Sequence, residues 1–255
     1  MAVTDLWARR ATLSRSLRLL SEFRHERSEP ARFYRALAAD TAAMITDLWR
    51  GIHGEPPVGR TLLDVGGGPG YFAAAFAGAG VRYIGVEPDP REMHAAGPAL
   101  APGPGDFVRA SGTALPFADA SVDICLSSNV AEHVPRPWQL GAEMLRVTKP
   151  GGLAVLSYTV WLGPFGGHET GLWHYFGGAR AAARYARKHG HPAKNNYGSS
   201  LFAVSVADGL SWAASTGAAV AAFPRYHPRW AWRLTSVPVL REFLVSNLVL
   251  VLQPH

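Results

Sequence analysis

The sequence is poor in cysteine and lacks any long apolar run. Cys125 is the single cysteine among 255 residues, so no internal disulfide can form and a reducing cytosol is indicated. No uninterrupted apolar run reaches about 18 residues, the length expected of a segment that spans a membrane. Arg9, Arg10, Arg15 and Arg18 interrupt the N-terminal region, so no secretory signal is expected there. We therefore predict a cytoplasmic protein.

Charged residues are also scarce, at 17% of the chain, while hydrophobic residues make up 48%. This balance is typical of a globular protein and excludes a disordered chain. The formal net charge is nevertheless +6. An excess of positive charge favours anionic partners such as phosphorylated molecules, membrane surfaces or nucleic acid, and does not choose among them.

The order of the apolar patterns predicts an α/β fold. Amphipathic helices are predicted at residues 4–25 and 31–49, followed by a linker at residues 51–59. Short apolar runs then alternate with helical segments, which is typical of a doubly wound, mostly parallel sheet. The predicted strands are Thr61–Val65, Val81–Val86, Val122–Ser127, Leu153–Thr159, Ala218–Phe223 and Leu244–Leu252, and the predicted helices after the first strand are Tyr71–Ala79, Arg91–Ala96, Pro137–Val147, Ala179–Lys188 and Ser205–Ser215.

These patterns predict a single domain with an insertion. Its parts are N-terminal helices at residues 1–59, a core at 60–160, an insertion at 161–203, and a last helix with two strands at 204–255. Residues 161–178 are rich in glycine, which predicts an irregular loop. Because long loops in compact domains tend to be functional, we interpret the insertion as a lid over a ligand.

A glycine-rich turn follows the first predicted strand. The sequence Asp64-Val65-Gly66-Gly67-Gly68-Pro69-Gly70 leads from the strand into a helix. Glycines let backbone approach a ligand closely, and a helix start offers free N–H donors. Such a turn can bind a dinucleotide pyrophosphate or the amino-acid end of S-adenosylmethionine. Asp64 favours the second ligand, because its carboxylate would attract an ammonium group and repel a pyrophosphate.

Glu87 ends the second predicted strand, about 20 residues after the glycine turn. A carboxylate at this position commonly binds the two ribose hydroxyls of a nucleotide cofactor. Both cofactor classes use such an acid, so Glu87 predicts a nucleoside site without choosing between them. Asp89 is better explained as the cap of the following helix.

Six motifs along residues 62–152 occur together in a family-specific order. They are Asp64-x-Gly66-x-Gly68-x-Gly70, Val86-Glu87-Pro88, Ala114-Leu115-Pro116-Phe117, Val122-Asp123, Glu132-His133-Val134 and Leu145-Arg146-Val147-Thr148-Lys149-Pro150-Gly151-Gly152. In order and spacing they resemble the class I S-adenosylmethionine-dependent methyltransferases. Within that class the chain is similar to the type 11 small-molecule enzymes, and among these to actinobacterial members of unassigned substrate.

The resemblance implies a seven-stranded, Rossmann-like methyltransferase sheet with S-adenosylmethionine as cofactor and S-adenosylhomocysteine as product. Ser111 stands where many relatives carry an aspartate, but its hydroxyl can still accept a hydrogen bond from the adenine amine. The implied cofactor contacts are Tyr34, Asp64, Gly66, Gly67, Gly68, Gly70, Glu87, Pro88, Ser111, Gly112, Thr113 and Asn129.

His133 is the candidate catalytic residue. Residues just beyond the fourth strand of this fold face the ligand crevice, and a hydroxyl acceptor needs a base near neutral pH. A structural role for His133 competes with this hypothesis, since the Glu-His-Val motif is shared by relatives with different substrates. If the acceptor is a carbon or nitrogen atom, His133 need not be a base.

Two further segments carry candidate substrate contacts. In the lid these are His168, Glu169, Trp173 and His174, and near the C-terminus they are Tyr226 and His227. No metal is expected, because no helical histidine pair or cysteine partner accompanies the lid histidines. Aromatic and cationic side chains near residues 224–233 suit a pocket for an anionic or amphipathic acceptor, also near a membrane surface. The basic helix at 180–188 could contribute to the same surface, but we favour a solvated cationic helix there.

The sequence therefore predicts methyl transfer to a small molecule, with a hydroxyl of a lipid, glycolipid or similar metabolite as the favoured acceptor. The alternatives are a carbon or nitrogen methyltransferase, an NAD-linked oxidoreductase and a catalytically silent S-adenosylmethionine-binding module. Nucleic acid is not expected as a partner, because Ser127-Ser128-Asn129-Val130 stands where base methyltransferases carry a Pro-Pro motif. The sequence does not predict an oligomeric state.

Overall fold

A seven-stranded sheet forms the centre of the molecule in the computed structural model, which describes residues 2–26, 28–93 and 106–255. The strands are β1 Thr61–Val65, β2 Arg82–Val86, β3 Asp106–Val108, β4 Val122–Ser128, β5 Thr148–Thr159, β6 Ala219–Pro224 and β7 Asn247–Leu252. Their order is β3-β2-β1-β4-β5-β7-β6, and β7 alone of these strands runs antiparallel to both of its neighbours. The predicted doubly wound, mostly parallel fold is confirmed.

Helices cover both faces of this sheet. The α-helices are α1 Asp5–Arg10, α2 Leu13–Phe23, α3 Pro30–His53, α4 Ala73–Gly78, α5 Pro90–Met93, α6 Pro137–Val147, α7 Gly178–His189, α8 Val206–Ser215 and α9 Leu240–Leu244, and 3₁₀ helices span Ala131–His133, His168–Phe176 and Arg229–Ser236. No helix within the described ranges is long and apolar enough to cross a bilayer.

The core has two parts because side chains alternate along each strand. Leu62 on β1 lies in one cluster with Met44 and Leu48 of α3. Its neighbour Leu63 lies in the other cluster, with Leu140 of α6. Both faces of β1 are therefore buried, which explains its continuous apolar sequence.

The parallel register brings the functional strand ends together. Asp64 on β1 pairs with Gly85 on β2 and with Leu126 on β4. The carboxyl ends of β1, β2 and β4 therefore lie side by side at one edge of the sheet. In open α/β sheets this edge is where ligands bind.

Several predicted boundaries at the N-terminal half were wrong. The helix predicted at residues 4–25 is broken into α1 and α2, where the Thr12 hydroxyl accepts from the Arg15 amide and caps the second helix. Helix α3 continues to His53, into the predicted linker, and ends at Gly54 in the left-handed conformation. The predicted helix Arg91–Ala96 is Pro90–Met93 as far as it is described, and its remainder lies outside the described residues.

Boundaries beyond residue 160 also differ from prediction. Residues 161–178 are not wholly irregular, because the 3₁₀ helix His168–Phe176 lies within them, with a kink at Gly171. The predicted strand Leu244–Leu252 begins only at Asn247, since the segment before it forms α9.

Candidate cofactor and acceptor site

Gly66, Gly67 and Gly70 in the turn after β1 lie too close to neighbouring side chains to carry a Cβ atom, while Gly68 has open space around it. Gly66, Gly68 and Gly70 have φ angles of +79°, +53° and +82°, which favour glycine. A Cβ atom on Gly66 would collide with the Val130 side chain, and one on Gly67 would lie 2.7 Å from the Tyr83 hydroxyl. The backbone of the turn is thus the surface that a ligand would meet.

Asp64 lies under this turn and is only 2% exposed. Its Oδ2 atom accepts a hydrogen bond from the Tyr83 hydroxyl at 2.7 Å. Burial raises the pKa of Asp64 to about 7; the Tyr83 hydrogen bond opposes this shift and the nearby Glu87 carboxylate adds to it. No cationic side chain pairs with Asp64 among the described residues. A ligand ammonium would supply the missing cationic partner and favour the ionised form of this buried carboxyl group.

Glu87 joins the end of β2 to the glycine turn. Its Oε1 atom accepts from the Asp89 amide at 3.0 Å. Burial raises the pKa of Glu87, and hydrogen bonds from the Asp89 and Gly68 amides partly offset that rise. The carboxylate is thereby fixed at the sheet edge, with room to accept hydrogen bonds from a ligand.

A cavity of about 240 Å³ opens beside the turn and is lined by part of the predicted cofactor set, although neither Asp64 nor Glu87 lines it. At Gly112 a Cβ would lie 2.7 Å from Val65 and 2.5 Å from Leu140, so only glycine fits. A larger cavity of about 500 Å³, between α1, α2 and α3, contains none of the motif residues. The residues that line the smaller cavity include Gly66, Pro88, Ser111, Gly112, Thr113 and His133.

Tyr34 and Asn129 are predicted cofactor contacts that do not line this cavity. The Tyr34 ring stacks on Tyr71, which directly follows the glycine motif, with centroids 3.7 Å apart. Asn129 ends β4 with a φ of +59°, and its Oδ1 atom accepts from the Asn247 side chain. The buried Tyr226 hydroxyl lies beside Asn129, and burial raises the Tyr226 pKa.

His133 lies at the rim of the same cavity, in the 3₁₀ helix after β4. Its Nδ1 atom bonds to the Ser200 carbonyl at 2.7 Å, which leaves Nε2 as the unprotonated nitrogen of the neutral ring. Glu132 beside it is 1% exposed, and its Oε1 atom accepts from the Thr159 amide at 3.0 Å. The neighbouring motif residues therefore face a common polar space at the end of β4.

The insertion that is predicted to form a lid brings His168 against His133. The two ring centroids are 5.1 Å apart. Gly166 and Gly167 precede His168, and a Cβ on either would collide with the Trp161 or Gly171 carbonyl oxygen. His168 follows this tightly packed pair with a φ of +46°, a conformation uncommon outside glycine. Both histidines are predicted site residues, and the fold brings them together.

Glu169 belongs to the same group, whereas the other predicted substrate residues lie outside it. The Asn195 side chain donates to Glu169 at 3.1 Å and lies 3.4 Å from His168 Nδ1. Trp173 is 47% exposed and carries the Arg184 guanidinium over its ring. His174 bonds to the Gly171 carbonyl, and His227 bonds to the Leu244 carbonyl. The substrate roles of all these residues remain predictions.

Three residues of the site were missed as functional candidates. Glu132 was visible as the neighbour of His133 in the motif, and its burial could have been suspected from the Ala-Glu-His context. Tyr83 on β2 donates a hydrogen bond to Asp64 on β1. This contact depends on the register between the two strands, which the sequence does not give. Asn195 had no signal, because it lies in an unpatterned part of the insertion.

Comparisons with known proteins identify the family. A model described as a methyltransferase domain matches residues 63–156. A protein of Mycolicibacterium paratuberculosis named as an uncharacterized methyltransferase is 86% identical over 255 residues, and the match covers 100% of both chains. The chain belongs to the S-adenosylmethionine-dependent methyltransferases. The predicted enzyme class and cofactor are thereby confirmed, in place of an NAD-linked oxidoreductase.

Solved structures agree on the fold of this methyltransferase. A TehB-like S-adenosylmethionine-dependent methyltransferase from Corynebacterium glutamicum has a TM-score of 0.50 at 15% identity, covering 86% of this chain and 88% of that one. A geranyl diphosphate methyltransferase has a TM-score of 0.50 at 16% identity, covering 84% and 78%. At these identities the likeness concerns the fold alone.

The residues present fit S-adenosylmethionine. The buried Asp64 carboxyl without a cationic partner suits the ammonium of its methionine part. Gly68 in the glycine turn has open space around it, and Glu87 at the end of β2 can accept from the ribose hydroxyls. Ser111 and Thr113, whose hydroxyls lie 2.9 Å apart, offer polar atoms to the adenine.

Proposed function

We propose that this methyltransferase transfers a methyl group to a hydroxyl of a small amphipathic molecule, and that the acceptor binds at the polar cluster of Glu132, His133 and His168. One observation carries the proposal: His133 lines the cofactor cavity and also faces His168 of the lid. An acceptor held between the lid and β4 would therefore lie next to the reactive methyl group.

The cluster suits a hydroxyl better than a carbon nucleophile. S-adenosylmethionine, when bound, supplies an electrophilic methyl group on a sulfonium. The acceptor oxygen forms the new C–O bond, the C–S bond breaks with its electron pair left on sulfur, and the hydroxyl proton leaves toward the cluster. His133 is the proposed catalytic residue, because its Nε2 atom is free to accept while Nδ1 is held by Ser200.

Exposed apolar groups near the lid support an amphipathic acceptor. Leu172 and Phe176 are 64% and 67% exposed, and Tyr175 contacts Phe243 of α9 with ring centroids 6.3 Å apart. Exposed cations of α7 adjoin this surface, among them Arg184 over the Trp173 ring. Apolar and cationic groups side by side suit an anionic lipid-like acceptor, including one presented at a membrane surface.

The proposal is tested by identifying the methylated product. The full chain is incubated with a metabolite extract and S-adenosylmethionine carrying a carbon-13 methyl group, and labelled products are resolved by mass spectrometry and NMR. An O-methyl signal on an amphipathic molecule is expected, and at a subsaturating cofactor concentration it should be strongly reduced with Glu87→Ala. A label found on nitrogen or carbon would replace the hydroxyl proposal by the alternative acceptor class.

Membrane contact is tested separately by sedimentation with vesicles. The protein should bind vesicles that contain anionic lipid, and Leu172→Ser with Phe176→Ser should reduce binding. Val220→Ser, another exposed apolar position on β6, is the matched control. Equal sedimentation of both variants and the wild type would contradict a membrane role for this surface.

A further inference from the structure

Several polar atoms near the acceptor site are buried without a protein partner in the described part of the chain. They include Glu132 Oε2, His168 Nε2 and Glu169 Oε2. Buried polar atoms in native proteins are almost always satisfied, so a group of them at one place indicates a bound partner. All three belong to side chains that can ligate a metal ion.

Glu132, His133 and His168 form a group in which each residue offers one potential metal-ligand atom. One ligand atom from each residue lies within 4.8 Å of the other two. Metal bonds of about 2.0–2.2 Å would bring these atoms closer together, which small rotations of the lid side chain could achieve. The three residues offer two imidazoles and one carboxylate, a set that suits first-row transition metals.

In each of the three side chains, the polar atom that would not bind the ion has a polar neighbour in the protein. The Ser200 carbonyl holds His133 Nδ1 at 2.7 Å, and the Thr159 amide holds Glu132 Oε1 at 3.0 Å. Asn195 lies 3.4 Å from His168 Nδ1, too far to fix which nitrogen carries the proton. Metal-binding histidines characteristically use one nitrogen for the ion and the other for such a support.

The chain places the His168 imidazole against His133. The backbone of His168 has a φ of +46°, which is uncommon for a residue other than glycine. The centroids of the two imidazole rings are 5.1 Å apart.

We propose that Glu132, His133 and His168 bind one divalent transition-metal ion, which would hold the acceptor oxygen. This inference rests on the proposed hydroxyl acceptor, and it makes the cation, in place of a free imidazole, the group that activates the hydroxyl. Coordination favours loss of the hydroxyl proton to water, and the oxygen lone pair then forms the C–O bond as the C–S bond breaks. His133, one of the three residues, also lines the cofactor cavity, so an ion held there would lie beside the cofactor.

The experiment titrates the full, chelator-treated chain with Co²⁺ and follows visible absorption, with Zn²⁺ and Mg²⁺ in parallel calorimetry. One Co²⁺ per chain is expected, displaced by Zn²⁺ and not by Mg²⁺. Glu132→Gln, which keeps an oxygen for the Thr159 amide, and His168→Gln should each weaken binding by more than about tenfold. His191→Gln is the control, because this exposed histidine lies near His189 and could bind ions adventitiously.

Absence of Co²⁺ binding to the wild type would overturn the metal site. Equal Co²⁺ binding by the wild type, Glu132→Gln and His168→Gln would overturn it as well. So would a loss of Co²⁺ binding in His191→Gln alone. The failure of the proposed function is distinguishable from these results. Undiminished O-methylation after chelation would overturn the cation and leave the hydroxyl acceptor standing. Tight Co²⁺ binding with a nitrogen-methylated product would confirm the site and overturn its role in hydroxyl activation.

Discussion

Tyr34 and Tyr71 stack face to face, with ring centroids 3.7 Å apart and planes within 3° of parallel. Tyr34 belongs to α3 and Tyr71 directly follows the glycine turn, so the pair ties the N-terminal helices to the cofactor site. Lys194 of the lid lies near this pair, bonded to Glu92 of α5 at 2.9 Å. The predicted methionine end of the cofactor site is therefore bordered by elements from three parts of the chain.

Removal of the stack should weaken cofactor binding. Tyr34→Ala loses an aromatic pair worth about 0.5–1.5 kcal/mol, so S-adenosylmethionine affinity should fall roughly two- to tenfold. Tyr34→Phe keeps the stacked ring and should bind almost as tightly as the wild type. Calorimetry of both variants measures the difference. If Tyr34→Phe lost as much affinity as Tyr34→Ala, the hydroxyl and not the stack would be the contributing group.

Glu87→Ala should weaken S-adenosylmethionine binding by about 1.5–3 kcal/mol, because two ribose hydroxyls lose a charged acceptor. Asp89→Ala is the matched control, since its side chain pairs with Arg91 on the surface. Affinities are measured by calorimetry, with circular dichroism to verify the fold. Unchanged affinity in a folded Glu87→Ala protein would remove Glu87 from the cofactor site.

Cofactor binding should depend on pH through Asp64. Its pKa is raised to about 7 by burial, so the carboxyl is largely protonated in the free protein below that value. A cofactor ammonium favours the ionised form, so binding should release a proton and tighten from about pH 5.5 to about pH 7.5. Calorimetry in buffers of different ionisation enthalpy measures the released proton. Asp64→Asn should bind weakly and without this pH dependence.

The raised Asp64 pKa also has a consequence for stability. A carboxyl whose folded pKa lies above its unfolded value stabilises the fold at low pH, and this contribution is lost as the pH rises from the unfolded to the folded pKa. Asp64→Asn should therefore raise the melting temperature more above pH 7 than near pH 5. An equal shift at both pH values would argue that Asp64 is ionised throughout, against a buried protonated carboxyl.

The lid should exchange amide hydrogens faster than the sheet in the free protein. Residues 163–178 include exposed Leu172, Trp173 and Phe176, while β1 is buried along Leu62–Val65. Segments with few buried contacts open at lower free energy than core strands. Mass-resolved hydrogen exchange should show fast exchange there, slowed by S-adenosylhomocysteine with acceptor. Protection equal to that of β1 without ligand would contradict a mobile lid.

The cofactor half of the site could be predicted because its signals are local. Asp64, the glycines and Glu87 follow strand ends whose apolar sequences are unambiguous, and a parallel register then brings these ends together. Strand β3 was missed, because Asp106–Val108 is too short for a periodic pattern. The break between α1 and α2 was missed because the apolar stripe continues through the Thr12 cap.

The acceptor half could be predicted only as separate candidates. His133 and His168 are 35 residues apart in sequence, and their contact depends on how the lid folds back over β4. The Gly166-Gly167 pair contributes to the glycine-rich pattern that predicts an irregular loop. In the structure these two glycines are required because the backbone packs closely there. Sequence patterns record burial and turns, and do not record which distant side chains meet.

Replacement of His133 should separate catalysis from cofactor binding. His133→Gln can still donate to the Ser200 carbonyl, but it lacks the free imidazole nitrogen at the cavity rim. Methyl transfer should fall by about 10²–10⁴-fold, the usual range for loss of an acid–base group, while S-adenosylmethionine affinity stays close to that of the wild type.

Gln139→Ala is not a suitable control, because its side chain bonds to the Thr113 carbonyl in the cofactor cavity. His189→Gln, on the exposed end of α7, is the matched control and should leave both quantities unchanged. Single-turnover rates and calorimetry measure the two effects. Because His133 lines the cofactor cavity, a parallel loss of affinity and turnover would make it a support of the cofactor site, and no change in either would remove it from the reaction.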